Sequence, residues 1–389
     1  MKILFTTMKS LLLIISLLVF FNTSFASVVF PLDDNGFVTQ SFSAGKGGTL
    51  KVALDAGNIS ITGWEKDEVF VKVTGLEDDD AKRIKIKQNG NIISVSFHQS
   101  WTSTCDIQVE VSLPEQFHTN LETAGGDISL RNLRGNLIGE TSGGDILLEN
   151  TGGTIDITTS GGDIRTGDID GDATLATSGG DIILGKISGE VNVHTAGGDI
   201  RVERSNKKLK AETAGGEINI GDITNIATIS TFGGDIRVRK VTADATFSTA
   251  GGDIIILSSS ESIKAKTAGG DIRLEDIAGA VDAKTAAGDI RVELNSFAKG
   301  KSKFTTAFGD VKLLVPENLK LTINALVRVR GWWKSRKHEQ YIFSDFKAEE
   351  FNEDEDENEI RAIYKLNGGG DLVLMETSMG NIEIRKVKK

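Results

Sequence analysis

The chain has 389 residues, with 44 Lys and Arg against 55 Asp and Glu and a formal net charge of −11. This balance argues against nucleic acid and anionic lipid surfaces as partners, because phosphate binding requires clustered Lys and Arg. Cys105 is the only cysteine, which excludes an internal disulfide, so stability must come from packing and from hydrogen bonds between strands.

Residues 1–26 have the features of a secretory signal peptide. Lys2 and Lys9 form a positive n-region, residues 11–21 form an apolar core, and the tripeptide SFA at 24–26 is a small-x-small cleavage site. The apolar run is only about half of the roughly 20 residues that a spanning helix needs, and no later segment is apolar enough to span a membrane. Cleavage would leave 42 basic against 55 acidic residues, a formal charge of −13. We expect an exported protein, located in the periplasm, at the cell surface or in the medium.

Residues 27–120 alternate apolar and polar side chains without a fixed period. The stretch "GGTLKVALDAGNISITGW" at 47–64 is the clearest example. Such alternation is typical of β-strands. We expect this segment to begin the β structure and to cover its first edge, because an exposed strand edge invites aggregation.

Residues 121–315 contain a regular repeat around the sequence TAGGDI. Its acidic residue recurs at intervals of 18, at Asp127, Asp145, Asp163, Asp181, Asp199, Glu217, Asp235, Asp253, Asp271 and Asp289. Counted from this residue, position +1 is Ile, positions +3, +10 and +12 are mostly aliphatic, and position +14 is Thr. The alternation predicts two strands in each repeat, one near +1 to +3 and one near +10 to +14. Each repeat is then one rung of a β-solenoid, stacked about 4.8 Å from the next.

Gly-Gly-Asp is predicted to form a corner between successive rungs. Glycine tolerates positive φ and close approach of the backbone, and aspartate can hydrogen-bond turn backbone. A glycine at +8 in five repeats predicts a second turn. The inward threonines at +14 predict a continuous stack of hydroxyls in which each bonds its neighbour. Position +2 faces outward and mostly alternates Arg with uncharged residues, which fits rungs in register because opposed like charges are destabilising.

A left-handed hexapeptide helix is the competing solenoid, since it also has 18 residues in each coil. It requires small aliphatic residues at every sixth position. Position +7 breaks that rule with Arg134, Gly152, Asp170 and Ser188. We therefore predict an all-β, single-stranded β-solenoid with 18-residue rungs and irregular β caps at both ends.

The corner carboxylates are the one candidate metal site in the sequence. The column consists of Asp127, Asp145, Asp163, Asp181, Asp199, Asp235, Asp253, Asp271 and Asp289. Carboxylates about 4.8 Å apart could share Ca²⁺, which takes six to eight oxygen ligands. The related turns at Asn58 and Asn381 keep a side chain that can bond the turn but lose the charge. This favours a structural corner over a cation column, and no cofactor is predicted.

The repeat offers no recognisable catalytic group. It has no Ser/His/Asp grouping, no HExxH motif and no phosphate-binding glycine loop with a lysine. The uniform rungs therefore predict a non-enzymatic protein. One alternative is a carbohydrate-active β-helix enzyme of the polysaccharide lyase or hydrolase type, which would carry repeat-breaking Asp or Arg in a groove. The other is a Ca²⁺-dependent surface solenoid.

Residues 316–366 depart from the repeat, and its pattern resumes over 367–389. A basic-aromatic stretch comes first and includes Arg328, Arg330, Trp332, Trp333 and Arg336. An acidic run follows at 349–359. Exposed aromatic residues beside Arg suit contact with a glycan or an envelope component. Alternatively, the basic and acidic runs face each other in an end cap, which is the interpretation that we favour.

Three motifs resemble the bacterial "putative adhesin" family of exported β-solenoid proteins. They are "GGTLKVALDAGNISITGW", the T(A/S)GGDI rungs and the closing "LNGGGDLVLMETSMGNIEI". The resemblance covers about residues 45–389 and brings no catalytic residues with it. It implies an exported, adhesin-like structural or interaction protein of the envelope or cell surface. Its partner would be an envelope component, a glycan or a protein.

Overall fold

The computed structural model describes residues 37–76, 81–98, 106–295, 298–328, 341–354 and 356–387. The predicted signal peptide and several singled-out residues lie outside these ranges, namely Cys105, Arg330, Trp332, Trp333 and Arg336. Throughout the described ranges the regular elements are β-strands. These residues contain no helix that is long and apolar enough to cross a membrane.

The strands fall into an N-terminal group, a regular repeat and a C-terminal group. The first group is β1 (Val38–Ser43), β2 (Thr49–Leu54), β3 (Asn58–Trp64), β4 (Glu68–Thr74), β5 (Lys85–Asn89), β6 (Ile92–Phe97), β7 (Gln108–Pro114) and β8 (His118–Thr123). The regular repeat is β9 (Ile128–Thr141), β10 (Ile146–Thr159), β11 (Ile164–Thr166), β12 (Ile169–Ala176), β13 (Ile182–Ile187), β14 (Val191–Thr195), β15 (Ile200–Ser205), β16 (Leu209–Thr213), β17 (Ile218–Ile223), β18 (Ala227–Ser230), β19 (Ile236–Val241), β20 (Ala245–Ser248), β21 (Ile254–Ile256), β22 (Ile263–Lys266), β23 (Ile272–Ile277), β24 (Val281–Lys284), β25 (Ile290–Leu294), β26 (Ser302–Thr305) and β27 (Val311–Val315). The last group is β28 (Leu321–Arg328), β29 (Ile342–Ser344), β30 (Glu350–Asp354), β31 (Glu359–Leu366), β32 (Asp371–Thr377) and β33 (Ile382–Lys386).

The repeat strands pair in parallel with the strand one rung later, in a register of 18 residues. Ile182 of β13 lies opposite Ile200 of β15, and Val191 of β14 lies opposite Leu209 of β16. One face of the solenoid is therefore built from the +1 to +6 strands, and a second face from the +10 to +14 strands. The predicted all-β solenoid is confirmed. Its rungs stack in register because each carries the same inward pattern.

Six positions of each rung face the core rather than five. In the Asp181 rung they are Ile182, Leu184, Ile187, Val191, Val193 and Thr195, and none is more than 3% exposed. The sequence analysis missed the column at +6, where Ile187 lies. Its members vary in chemistry, and it follows +3 by an odd step that breaks strand alternation. The odd step needs a corner near +5, where Asn132 and Asn150 adopt positive φ angles of 55° and 51°.

Both ends of the stack are covered by β structure that leaves the repeat. At the N-terminal end β2 and β3 form the first rung, with β3 paired to β9 and β2 paired to β8. Strands β1, β4 and β7 add antiparallel pairs beyond that rung. At the C-terminal end β32 and β33 form the last rung against β26 and β27, and β28 pairs antiparallel with β31. The rung edges are thus paired with other strands instead of facing solvent.

Candidate functional site

The second glycine of each Gly-Gly-Asp corner lies against the same glycine of the preceding rung. A Cβ added to Gly198 would lie 2.0 Å from the carbonyl oxygen of Gly180. A Cβ added to the first corner glycine, Gly197, would lie 3.5 Å from the oxygen of Gly179, an ordinary contact. Neither corner glycine has a positive φ. Close backbone approach, and not left-handed geometry, is therefore what requires glycine at position −1.

The buried threonines hold this close approach in place. The Thr195 hydroxyl donates to the carbonyl of Gly180 at 2.9 Å and accepts the amide N–H of Gly198 at 3.2 Å. The hydroxyls from Thr123 to Thr377 donate to the equivalent glycine carbonyl of the preceding rung. The predicted stack of hydroxyls bonding one another is wrong. Each hydroxyl instead bonds the corner glycine carbonyl, because a buried carbonyl needs a partner.

The corner carboxylates form a ladder of hydrogen bonds to backbone. The amide N–H of Asp199 donates to Oδ1 of Asp181 at 2.8 Å, and this bond recurs along most of the column. Asn58 accepts at the first rung and Asn381 donates at the last, so the ladder continues past both insertions in the repeat. Glu217 departs from the pattern, because its longer side chain reaches Arg237 at 2.7 Å. One oxygen of most corner acids thus bonds the next rung.

Arginines at +2 occupy much of the remaining carboxylate surface. Arg201 lies 2.9 Å from Asp199 and 3.7 Å from Asp181. Arg165 and Arg237 bridge two acids of adjacent rungs in the same way. Within the described ranges no three His, Cys, Asp or Glu side chains are placed to hold a metal ion. The structural role of the nine-aspartate column remains the interpretation that we favour, and cation binding there is an untested alternative.

Among the predicted ligand contacts of the C-terminal excursion, the structure describes Arg328. It ends β28 and pairs with Glu359 of β31 at 3.1 Å. Glu359 also accepts a hydrogen bond from Arg361 and is largely buried. A member of the basic stretch therefore meets a member of the acidic run inside the end cap. The Arg328 side chain remains 39% exposed, so its role as a ligand contact stays a prediction.

The outer faces of the two sheets carry shallow concavities that the sequence analysis did not anticipate. The larger, of 730 Å³, lies on the +1 to +6 face beside Arg201, Arg237 and Leu257. Another, of 480 Å³, lies on the +10 to +14 face beside Lys264, Lys301 and Lys303. Each lining combines short stretches from several rungs, which lie 18 or more positions apart in the sequence. The sequence signal for them lay in the chemistry of the outward columns, at +2 and +4 for the larger concavity and at +9 and +11 for the smaller one.

The sequence profile described as Toastrack DUF4097 matches the chain twice, over residues 39–225 and 207–385. The two matches together cover well over half of the 389 residues. The chain belongs to the Toastrack family. Each match contains one end insertion and part of the regular stack, and the two matches overlap at residues 207–225. No curated protein matches the chain at a significant level.

Three solved structures are similar to this Toastrack protein. A putative adhesin from Bacteroides fragilis is 17% identical, with 73% of this chain and 99% of that chain covered and a TM-score of 0.24. A putative cell adhesion protein from Clostridium sporogenes is 11% identical, with 90% and 100% covered and a TM-score of 0.17. A putative lipid binding protein from Parabacteroides distasonis is 9% identical, with 91% and 98% covered and a TM-score of 0.22. All three scores are below 0.5, so nothing about function follows from them.

The C-terminal cap of the Toastrack stack is expected to weaken in acid through Glu359. The hydrogen bond from Arg361, with a further contribution from Arg328, holds the pKa of the Glu359 carboxyl below its usual value near 4.5. A depressed carboxyl pKa contributes stability above the unfolded-state pKa, and this stability is lost as pH falls through the folded-state pKa. Glu359→Gln should therefore lower the melting temperature at pH 7, and the deficit should be smaller at about pH 3.

Circular dichroism melts at both pH values test this expectation. The control is Glu357→Gln in the same acidic run, since Glu357 is exposed and contributes only a minor attraction to Arg361. A deficit of equal size at both pH values would show that ionisation of Glu359 does not stabilise the cap.

Proposed function

We propose that the chain is an exported, non-enzymatic interaction protein of the cell envelope, in which the solenoid is a scaffold and its outer faces bind. The proposal rests on a contrast between two sets of side chains: those at the corners bond adjacent rungs, whereas those on the outer faces are free to contact a partner. The corner carboxylates and the inward hydroxyls bond adjacent rungs, as Asp181 and Thr195 do. The outward side chains bordering the two concavities include exposed groups such as Leu257 and Ile226, at 47% and 57% exposure.

Repetition supports binding more than catalysis. An active site needs a few side chains held in one arrangement that differs from its surroundings. Here the corner chemistry and most of the inward columns recur from rung to rung, whereas the outward positions vary. Varied outward residues on a rigid in-register stack suit recognition of an extended partner, as the concave surfaces of other repeat proteins do.

Cell fractionation tests the envelope location. We expect the protein in envelope or external fractions, with a mass that matches cleavage after Ala26. A variant that lacks residues 2–26 is the control and should remain in the cytosol. Full-length protein in the cytosol would contradict the proposal. Protease treatment of intact cells, with a lysed sample and a periplasmic marker, then distinguishes the surface from the periplasm.

A further inference from the structure

Five lysines gather on the outer side of the +10 to +14 face near the C-terminal end of the stack. This group, called the lysine face below, consists of Lys264, Lys266, Lys284, Lys301 and Lys303. The lysines come from β22, β24 and the β26 region, which are successive rungs about 4.8 Å apart. We propose that the lysine face and its adjoining concavity bind an acidic polysaccharide, an inference that rests on the proposed envelope role.

Most of the lysines on the lysine face have no carboxylate partner within the described ranges. Lys303 pairs with Glu376 at 3.3 Å. The other four lysines form no ion pair or side-chain hydrogen bond with any residue in the described ranges. Lys266 and Lys284 also lie directly opposite each other in the ladder. Opposed like charges destabilise a sheet, so the fold gains nothing from this placement.

Several other lysines of the stack pair with a carboxylate on the same face, which most members of the lysine face do not. Lys210 on the same face pairs with Glu212 at 2.8 Å, and Lys186 on the other face pairs with Glu203 at 3.3 Å. On the lysine face, Asp282 stands in register between Lys264 and Lys303 without an ion pair. Five ammonium groups therefore stand with the carboxylates of Asp244, Asp282, Glu376 and Asp371, the last of which accepts the Gly300 N–H beside Lys301, so these groups leave a positive excess of one charge.

The concavity beside the lysines has the shape and chemistry for a sugar chain. It spans the rungs from Ile226 to Lys303, with a volume of 480 Å³. Thr228, Thr246 and Ser262 line it, and their hydroxyls form no hydrogen bond with the part of the chain that the structure describes. Hydroxyls both donate and accept, so they match sugar hydroxyls. Lysines supply mobile point charges for carboxylates spaced along a polymer.

A narrow polymer fits better than an anionic membrane. The whole chain carries a net charge of −11, so a broad negative surface would repel most of the molecule. A single polysaccharide strand touches the concavity and the lysines alone. The overall acidity that argued against anionic partners therefore does not apply at this face, because net charge does not report a local cluster.

Binding of the purified mature chain to polygalacturonate, measured by calorimetry, tests the inference. The triple variant Lys264→Gln, Lys266→Gln and Lys284→Gln should bind at least about tenfold more weakly, since it removes three of the positive charges that attract the carboxylates of the polymer. The matched control carries Lys46→Gln, Lys87→Gln and Lys240→Gln, three exposed lysines elsewhere. It should bind within about twofold of the unchanged protein. Neutral dextran should not bind.

Three results would overturn the inference. They are no binding of polygalacturonate by the unchanged chain, an equal loss in both triple variants, or selective binding to vesicles that contain phosphatidylglycerol. Equal melting temperatures of the variants verify that each is folded. The assay uses purified protein, so its failure is separate from failure of the envelope location, which fractionation decides.

Discussion

Gly198→Ala is expected to destabilise the solenoid by roughly 3 kcal/mol or more, because the substitution forces backbone apart in a packed interior. The added Cβ would lie 2.0 Å from the carbonyl oxygen of Gly180 and 2.4 Å from its carbonyl carbon. Both atoms are backbone, so no side chain can rotate to relieve the contact. The rungs would have to separate locally, which would also lengthen the hydrogen bonds of Thr195 and Asp181.

Gly197→Ala is the matched control in the same corner. Its Cβ would lie 3.5 Å from Gly179, and its φ is not in the left-handed region. Later rungs already carry side chains at this position, at Ala287, Phe308 and Met379. We expect unchanged stability or a gain of about 0.5 kcal/mol from the lower entropy of the unfolded chain. Guanidinium unfolding followed by circular dichroism compares the two. Equal midpoints for both variants would refute the steric argument.

Thr195→Val is expected to cost about 2–4 kcal/mol, since it leaves two buried backbone groups without their partner. Valine has nearly the shape of threonine, so packing around this fully buried side chain is preserved. What is lost is the bond to the Gly180 carbonyl and the bond from the Gly198 N–H. Each unsatisfied buried group costs roughly 1–3 kcal/mol.

Thr195→Ser distinguishes the contribution of the hydroxyl to stability from that of the methyl group. Serine keeps both hydrogen bonds and loses one methyl, so it should cost about 1 kcal/mol and clearly less than valine. Hydrogen exchange localises the effect, because contacts in a solenoid are mostly between neighbouring rungs. In the valine variant the Gly198 amide should exchange faster than amides several rungs away. A serine variant less stable than the valine variant would show that the hydroxyl bonds do not support the corner.

Packing limits the choice of residue at the corners but not on the outer faces. At the corners from Gly126 to Gly380, a Cβ added to the second glycine would lie about 2 Å from a backbone oxygen of the preceding rung, which leaves little choice of residue. On the outer faces, side chains point to solvent and packing imposes few limits. Variation there, as at Lys264 and Arg237, is free to serve a partner. Substitutions on the faces should therefore alter binding more than stability, and substitutions at the corners the reverse.

The sequence alone determined the solenoid, its 18-residue register and the location of its Gly-Gly-Asp corners. These features depend on local chemistry that repeats, such as Ile at +1, Thr at +14 and Gly-Gly-Asp between them. Alternation within one strand is visible in a short window, and a constant period makes the stacking of like positions the only consistent arrangement.

Only the tertiary structure decided which groups meet across rungs. The partners of Thr195 and Arg201, and the gathering of lysines such as Lys284, depend on atoms that lie in different rungs. The core column at +6 was not predicted, because the corner near +5 interrupts the strand alternation between +3 and +6. Periodicity states which positions stack, but the distances between their side chains and backbones arise only when the chain has closed each turn.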